Sequence, residues 1–197
     1  MIERRILLLI LLVVCSCPLT HYAQTAPAPT PVPFKYQRPD WKTRRDRYVD
    51  RMFGWQSVAK SVVSAGLSTA RNKPREWGPH WDGFGKRFAS GMGQKVIGNT
   101  IQFGLDEASR LDPHYYRSTS TKFGDKLKNA LLNSVTERNR NGIRVAAIPR
   151  FVGVYTANIL ARETWYPRRY SWKDGVRSGT VSIGMGAVFN LIKEFIP

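Results

Sequence analysis

Two short segments hold most of the side chains that could bind a ligand: Trp77–Phe88 (WGPHWDGFGKRF) and Asp112–Arg117 (DPHYYR). Both mix rigid aromatic rings with cations, a combination suited to anchoring at a membrane interface or to stacking on a sugar or base. The same rings could instead close the ends of a helical bundle, with a cation capping helix carbonyls. The candidate surface-binding residues are Trp77, His80, Trp81, Lys86, Arg87, Tyr115, Tyr116 and Arg117.

The chain shows no motif typical of an active site, a cofactor site or a metal site. His80 and His114 lack the spacing of metal ligands, and there is no GxSxG nucleophile elbow. Gly83–Lys86 resembles a phosphate-binding loop, but the full spacing and a preceding strand are missing. We therefore predict no catalytic residue, no cofactor and no metal. The alternative is an envelope enzyme that acts through the Trp77–Phe88 loop, with Glu76, His80 or Asp82 as its catalytic groups.

The N-terminus has the order of a secretory signal peptide. Met1–Arg5 carries two arginines, Ile6–Val14 is uncharged, and small residues follow. Cleavage after Ala23 predicts a signal peptide over residues 1–23. The alternative is a lipoprotein signal over residues 1–16, which makes Cys17 the lipidated first residue. Both cysteines of the chain lie in this region, so no disulfide is left to the mature fold. The predicted location is the periplasm or the outer-envelope surface.

The chain is strongly basic, with 31 Lys and Arg against 14 Asp and Glu and a net charge of +17. Residues 1–23 contain two arginines and one glutamate, so their removal leaves 29 basic and 13 acidic residues, net +16. Such a surplus favours anionic partners. For an exported protein these are anionic lipid or cell-wall polymer, and the export signal argues against nucleic acid as the physiological partner. Alternatively, the surplus forms a solvated face that keeps the protein soluble.

The pattern after the signal predicts a linker and then a helical domain. Residues 24–40 contain five prolines and should be an extended, disordered linker. Residues 41–197 predict an all-α fold, a single bundle of about five helices with glycine-rich close packing. Ile143–Ile148 is the one segment that could be extended. The predicted helices run from Trp41 to about Asn72, after the loop Arg75–Gly85 to about Leu111, over about Lys122–Glu137, from about Pro149 to Arg162, and over about Trp172–Phe195.

Two kinds of stripe recur along these helices. Small residues stand four apart at Gly153, Ala157 and Ala161, and again at Gly175 and Gly179. Glycine within a helix costs about 1 kcal/mol relative to alanine, so we interpret these positions as close helix–helix contacts. Apolar stripes run beside them, one through Phe123, Leu127, Leu131 and Val135 and one through Val181, Met185, Val188, Ile192 and Phe195. Charged residues interrupt the apolar segments, which favours peripheral or partly embedded helices over spanning ones.

Three segments carry a resemblance: WGPHWDGFGKRF, GNTIQFGLDEASRLDPHYYRS and the closing NLIKEFIP. They resemble a family of exported bacterial envelope proteins with a GFGKRF segment, a glycine-rich helix bearing GN, a DPxYxR segment and an EFxP ending. The match covers about Arg45–Pro197, and His114 stands where the family pattern more often has arginine. The resemblance implies an envelope location and brings no established activity with it.

These observations lead to one main hypothesis and two alternatives. The main one is a non-enzymatic envelope protein that associates with an anionic membrane or cell-wall surface through a basic helical domain flanked by aromatic residues. The first alternative is a soluble periplasmic adaptor that binds a protein partner or a second copy of itself through the small-residue grooves. The second is the envelope enzyme described above.

Overall fold

The computed structural model describes residues 36–196, and these residues form an all-α bundle. The predicted signal peptide, Cys17 and most of the predicted linker lie outside the described residues. A short antiparallel hairpin joins two of the helices and pairs Thr136 with Ala146. The elements are α1 (Trp41–Phe53), α2 (Trp55–Ala70), a 3-10 turn (Arg75–Trp77), α3 (Trp81–Ser109), α4 (Phe123–Val135), β1 (Thr136–Arg138), β2 (Arg144–Ala146), α5 (Ile148–Thr164) and α6 (Trp172–Phe195).

Local sequence signals explain most helix ends. The Asp40 side chain accepts a hydrogen bond from the backbone N–H of Thr43 at 3.3 Å and caps α1. Pro149 lies in the first turn of α5, where its missing N–H costs nothing. Ser171 and Asp174 form a reciprocal capping box at the start of α6. The predicted bounds of α6 are confirmed.

Two helix boundaries differ from the prediction. The predicted first helix is interrupted at Gly54, whose backbone is extended with ψ of 146°. A side chain on Gly54 would collide with the Asp50 carboxylate, which lies 2.8 Å (Cγ) from the place a Cβ would occupy. Helix α3 begins at Trp81, so the predicted loop Arg75–Gly85 includes its first turn. Glycine is required at position 83, in the first turn of this helix, because the backbone carbonyls of Trp77 and Gly78 occupy the space of a side chain.

The helices lie side by side in the order α2, α3, α5, α6 and α4, and α1 packs against both α2 and α3. The closest approaches are made by the predicted small-residue stripes. A Cβ on Gly98 would lie 3.3 Å from that of Ala157, and a Cβ on Gly175 would lie 2.6 Å from the Cα of Ile159. The predicted close packing through glycine and small residues is therefore confirmed.

In the described part of the bundle, buried polar residues outnumber buried hydrophobic ones, and many large apolar side chains are exposed. The buried hydrophobic side chains among the described residues are few and mostly small: Met52, Ala65, Leu111, Ala130, Ala147, Ala157 and Ala161. The largest fully buried side chain is that of Asp106. A soluble helical bundle normally buries its large apolar residues and exposes its charged ones. This protein reverses that order for many of its large apolar residues, which are exposed, while most of its charged residues are exposed as well.

The apolar stripes show the reversal directly. Val181, Met185, Val188, Ile192 and Phe195, which we call the α6 outer stripe, are 41–61% exposed. Gly175 and Gly179, on the opposite face of the same helix, are buried. On α4 the stripe residues Phe123, Leu131 and Val135 are exposed, while Asn129, Ala130, Asn133 and Ser134 are buried. Within residues 36–196, no helix is long and apolar enough to cross a membrane.

Candidate functional site

The two aromatic and cationic clusters predicted from the sequence do not form one site. They lie at opposite ends of α3, whose 29 residues separate them by about 40 Å. In the first cluster the Trp77 ring packs on Tyr166, with ring centroids 4.7 Å apart. His80, Trp81 and Lys86 are exposed there, Trp81 by 85%. This end of α3 therefore presents a bare aromatic ring and a cation to the surroundings.

Arg87 is the one candidate binding residue of the first cluster that is buried, at 5% exposure. Its Nε donates to the Lys73 carbonyl at 2.9 Å, and its two terminal nitrogens donate to the carbonyls of Gly78 and Pro74, each at 2.7 Å. These bonds join the loop before α3 to the helix. The placement gives Arg87 a structural role instead of the predicted surface-binding one.

Replacing Arg87 by lysine is expected to lower the free energy of unfolding by about 2–3 kcal/mol. Lysine keeps the charge but cannot reach three carbonyls with a planar fork, so buried acceptors lose their donors. Urea unfolding measures the change. The control is Lys86→Met, one residue earlier and exposed, which should change stability by less than about 0.5 kcal/mol. Equal effects of the two substitutions would contradict the assignment.

The second cluster is tied to the C-terminal end of α6. The Tyr115 hydroxyl donates to the Glu194 carboxylate, and burial together with this bond raises the pKa of Tyr115. The Arg117 side chain donates hydrogen bonds to the backbone carbonyls of Lys193 and Ile196, so these carbonyls at the end of the helix have partners. Tyr115 and Arg117 therefore hold the end of the bundle together. This is the structural role that the sequence offered as the alternative to ligand binding.

The carboxylates of the alternative enzyme hypothesis are exposed and engaged by cations. Glu76 pairs with Arg169 at 2.8 Å, and Asp82 pairs with Lys86 at 2.6 Å. Their side chains are 42% and 77% exposed. Solvent therefore reaches both carboxylates, whereas a catalytic acid or base usually lies in an enclosed environment.

Exposed apolar residues also stand at the helix starts. Each of the six described α-helices begins with one that is more than half exposed: Trp41, Trp55, Trp81, Phe123, Ile148 and Trp172. Four of the six are tryptophan, the side chain that concentrates at the boundary between lipid and water. Cations stand over exposed rings as well, with Lys60 Nζ 4.6 Å from the centroid of Phe189.

A cavity of about 660 Å³ lies among α1, α3, α5, α6 and the segment that follows α3. Its cationic lining residues are Arg44, Arg47, Arg51, Arg117, Arg150 and Lys193. Among its acidic groups, Glu107 pairs with Arg44 at 2.7 Å and with Arg38 at 3.0 Å. Asp112 accepts hydrogen bonds from the hydroxyls of Tyr36 and Tyr116, at 2.9 and 2.7 Å. These two acids are thus already neutralised or hydrogen-bonded.

Asp106 lines the cavity and forms a buried acid pair with Glu137. Glu137 Oε1 lies 3.3 Å from Arg150 and accepts a hydrogen bond from Gln102 at 3.1 Å. The Asp106 carboxyl forms a hydrogen bond with Glu137, and its oxygens have no other hydrogen-bond partner among the described residues. Burial, reinforced by the charge of Glu137, raises the pKa of Asp106 to about 8, and burial raises the pKa of Glu137. Asp106 is therefore mostly protonated at neutral pH.

Of the residues that line this cavity, the sequence indicated only those of the segment Asp112–Arg117, including the candidates Tyr115 and Arg117. Arg51, Glu137, Arg150 and Lys193 lie on four different elements, and no spacing in the chain links them. The sequence feature that could have indicated these residues is the presence of polar residues on the same helix faces as the small residues. Among residues 36–196, no group of three His, Cys, Asp or Glu side chains could hold a metal ion. Comparison of the chain with protein-family models, curated proteins and solved structures gives no match.

Proposed function

We propose that this chain is a non-enzymatic, exported protein of the bacterial envelope that binds the surface of an anionic membrane. The observation that carries the proposal is the reversal of polarity, with Asp106 buried in the bundle and the α6 outer stripe exposed to the surroundings. Large apolar patches on a protein surface are sites of contact with lipid or with another protein. The high positive charge favours the lipid surface as the partner.

The exposed side chains match the layers of a membrane interface. The apolar stripe supplies side chains for the acyl boundary, tryptophans mark the helix starts, and Lys60 and Lys126 lie beside exposed phenylalanine rings. Each cation near an anionic surface contributes about 1 kcal/mol, and buried apolar area adds about 25 cal/mol per Å². Shallow insertion provides both the electrostatic and the apolar contribution without a spanning helix.

Vesicle flotation tests the proposal. The purified exported form should float with vesicles of phosphatidylglycerol and phosphatidylcholine and bind pure phosphatidylcholine vesicles less, because the cations have no counter-charge there. Added salt should weaken binding to the anionic vesicles. Indifference to both vesicle types at low salt would overturn the proposal. Self-association in sedimentation without vesicle binding would instead favour a second copy of the chain as the cover of the apolar faces.

A pair of variants isolates the α6 outer stripe. M185Q/V188Q removes apolar surface from it and should weaken binding to anionic vesicles by about tenfold or more. The matched control M185L/V188L changes the same positions but keeps them apolar, and it should bind as the original protein does. Both positions are exposed, so neither pair should lower stability by more than about 0.5 kcal/mol per substitution. Equal binding by the two variants would contradict a role for this stripe.

A further inference from the structure

The cavity holds more positive charge than its own acids neutralise. Arg47, Arg51 and Lys193 line it, and none of them forms an ion pair with an acidic residue among residues 36–196. One terminal nitrogen of Arg47 has no hydrogen-bond partner there either. Cations gathered around a cavity without counter-charge are unfavourable unless an anion joins them. From this geometry we propose that the cavity binds a small ligand that bears a phosphate group.

The neighbouring acids favour an anion over a cation in this cavity. Glu107 is paired with arginines, and Asp50 is the lining acid that is exposed and has no ion pair among the described residues. The six cationic lining residues still outnumber the four acidic ones. Asp106 is mostly protonated at neutral pH and forms a hydrogen bond with Glu137, so it adds little negative charge to the cavity. Burial and the positive charge of Arg150 lower the pKa of Arg51, and a bound anion would relieve that repulsion.

The placement of the donors favours a phosphate group over a carboxylate. Arg47 and Arg51 approach from α1 and Lys193 approaches from α6, so the charges come from different sides of the cavity. A tetrahedral phosphate offers oxygens in several directions, whereas a carboxylate offers two in one plane. The apolar lining residues Val154 and Ile183 leave room for an organic part of the ligand. A phosphate ester fits this lining, whether it is a lipid headgroup or a free ester.

Isothermal titration calorimetry on the purified exported form tests the inference without a bilayer, so its failure is distinct from failure of membrane binding. The probes are inorganic phosphate, glycerol 1-phosphate, monomeric dihexanoyl phosphatidylglycerol and acetate. The inference expects saturable binding of at least one phosphate compound and none of acetate. Tighter binding of the lipid than of glycerol 1-phosphate assigns a lipid headgroup, and the reverse order assigns a free ester. No binding of any phosphate compound, or equal binding of acetate, overturns the inference.

Four single variants separate the cavity from general charge attraction. Arg51→Gln and Lys193→Gln should each weaken binding of the best phosphate probe by about tenfold. Arg45→Gln on α1 and Lys173→Gln on α6 remove the same charge from exposed positions of the same helices, and they should leave binding unchanged. Equal losses in all four would show diffuse attraction and overturn the inference. Lys193 is exposed, so Lys193→Gln provides the test even where Arg51→Gln does not fold.

Discussion

The Asp106→Asn variant is expected to be more stable than the original protein, by several kcal/mol at pH 8. The asparagine has nearly the same shape but removes a buried acid whose ionised form is opposed by burial and by the charge of Glu137. Burial raises the pKa of Asp106 to about 8, and each pKa unit corresponds to about 1.4 kcal/mol. In the original protein this penalty opposes folding, and the substitution removes it.

The pH dependence of this effect has a definite sign. Between pH 4 and pH 8 the folded protein keeps the Asp106 proton that the unfolded chain releases, so raising the pH favours unfolding. The penalty is absent below the ordinary aspartate pKa of 3.8, grows up to about pH 8 and is constant above it. The gain in Asp106→Asn should therefore be small at pH 4 and largest at pH 8 and above, as measured by urea unfolding.

Asp112→Asn is the matched control for this prediction. Asp112 is also buried, but its carboxylate accepts hydrogen bonds from the hydroxyls of Tyr36 and Tyr116. Removal of this charged acceptor should destabilise the fold by about 1–3 kcal/mol. Loss of stability in Asp106→Asn at both pH 4 and pH 8 would contradict the view that the buried Asp106 carboxyl opposes folding.

The second large effect is expected for Gly153→Ala, which should lower the free energy of unfolding by about 3 kcal/mol. A Cβ at position 153 would collide with the backbone carbonyl of Gly98 and lie 3.2 Å from the backbone nitrogen of Gln102. Both neighbours belong to the backbone of α3, so they cannot move as a flexible side chain can. The added methyl group must push α3 and α5 apart.

Gly104→Ala on α3 is the control for steric contact. Nothing lies within 4 Å of the place that its Cβ would occupy, so alanine should stabilise the helix by about 1 kcal/mol. Opposite signs for the two substitutions in thermal or urea unfolding support close helix contact at Gly153. Stabilisation by both would show that α3 and α5 do not pack as closely as described.

The sequence predicted local structure well and the direction of the helix faces poorly. Capping residues such as Asp40 and the proline at position 149 act through neighbouring backbone groups, so the chain itself reveals them. A stripe of period 3.6 shows that a helix has two faces, but it does not show which face packs inward. The small-residue stripe that includes Gly153 could be read as a packing face, whereas the outward direction of the stripe at Val188 required the structure.

The candidate site was harder to predict for a similar reason. Asp106 and Glu137 meet only because α3 and β1 are brought together by the helices between and around them. The aromatic segment that contains Trp81 was visible because its residues are adjacent in the chain. A local pattern does not show, however, that the length of α3 separates this segment from the second aromatic cluster at the other end of the helix.

The most direct test of membrane binding measures the depth of the α6 outer stripe in a bilayer. An environment-sensitive fluorophore is attached to a single cysteine in Val188→Cys, and to Asn141→Cys in the polar turn as the control. On anionic vesicles with brominated acyl chains, the account predicts a blue-shifted, quenched signal at position 188 and an unquenched, water-like signal at position 141. A vesicle-bound protein whose label at position 188 stays in water would contradict it.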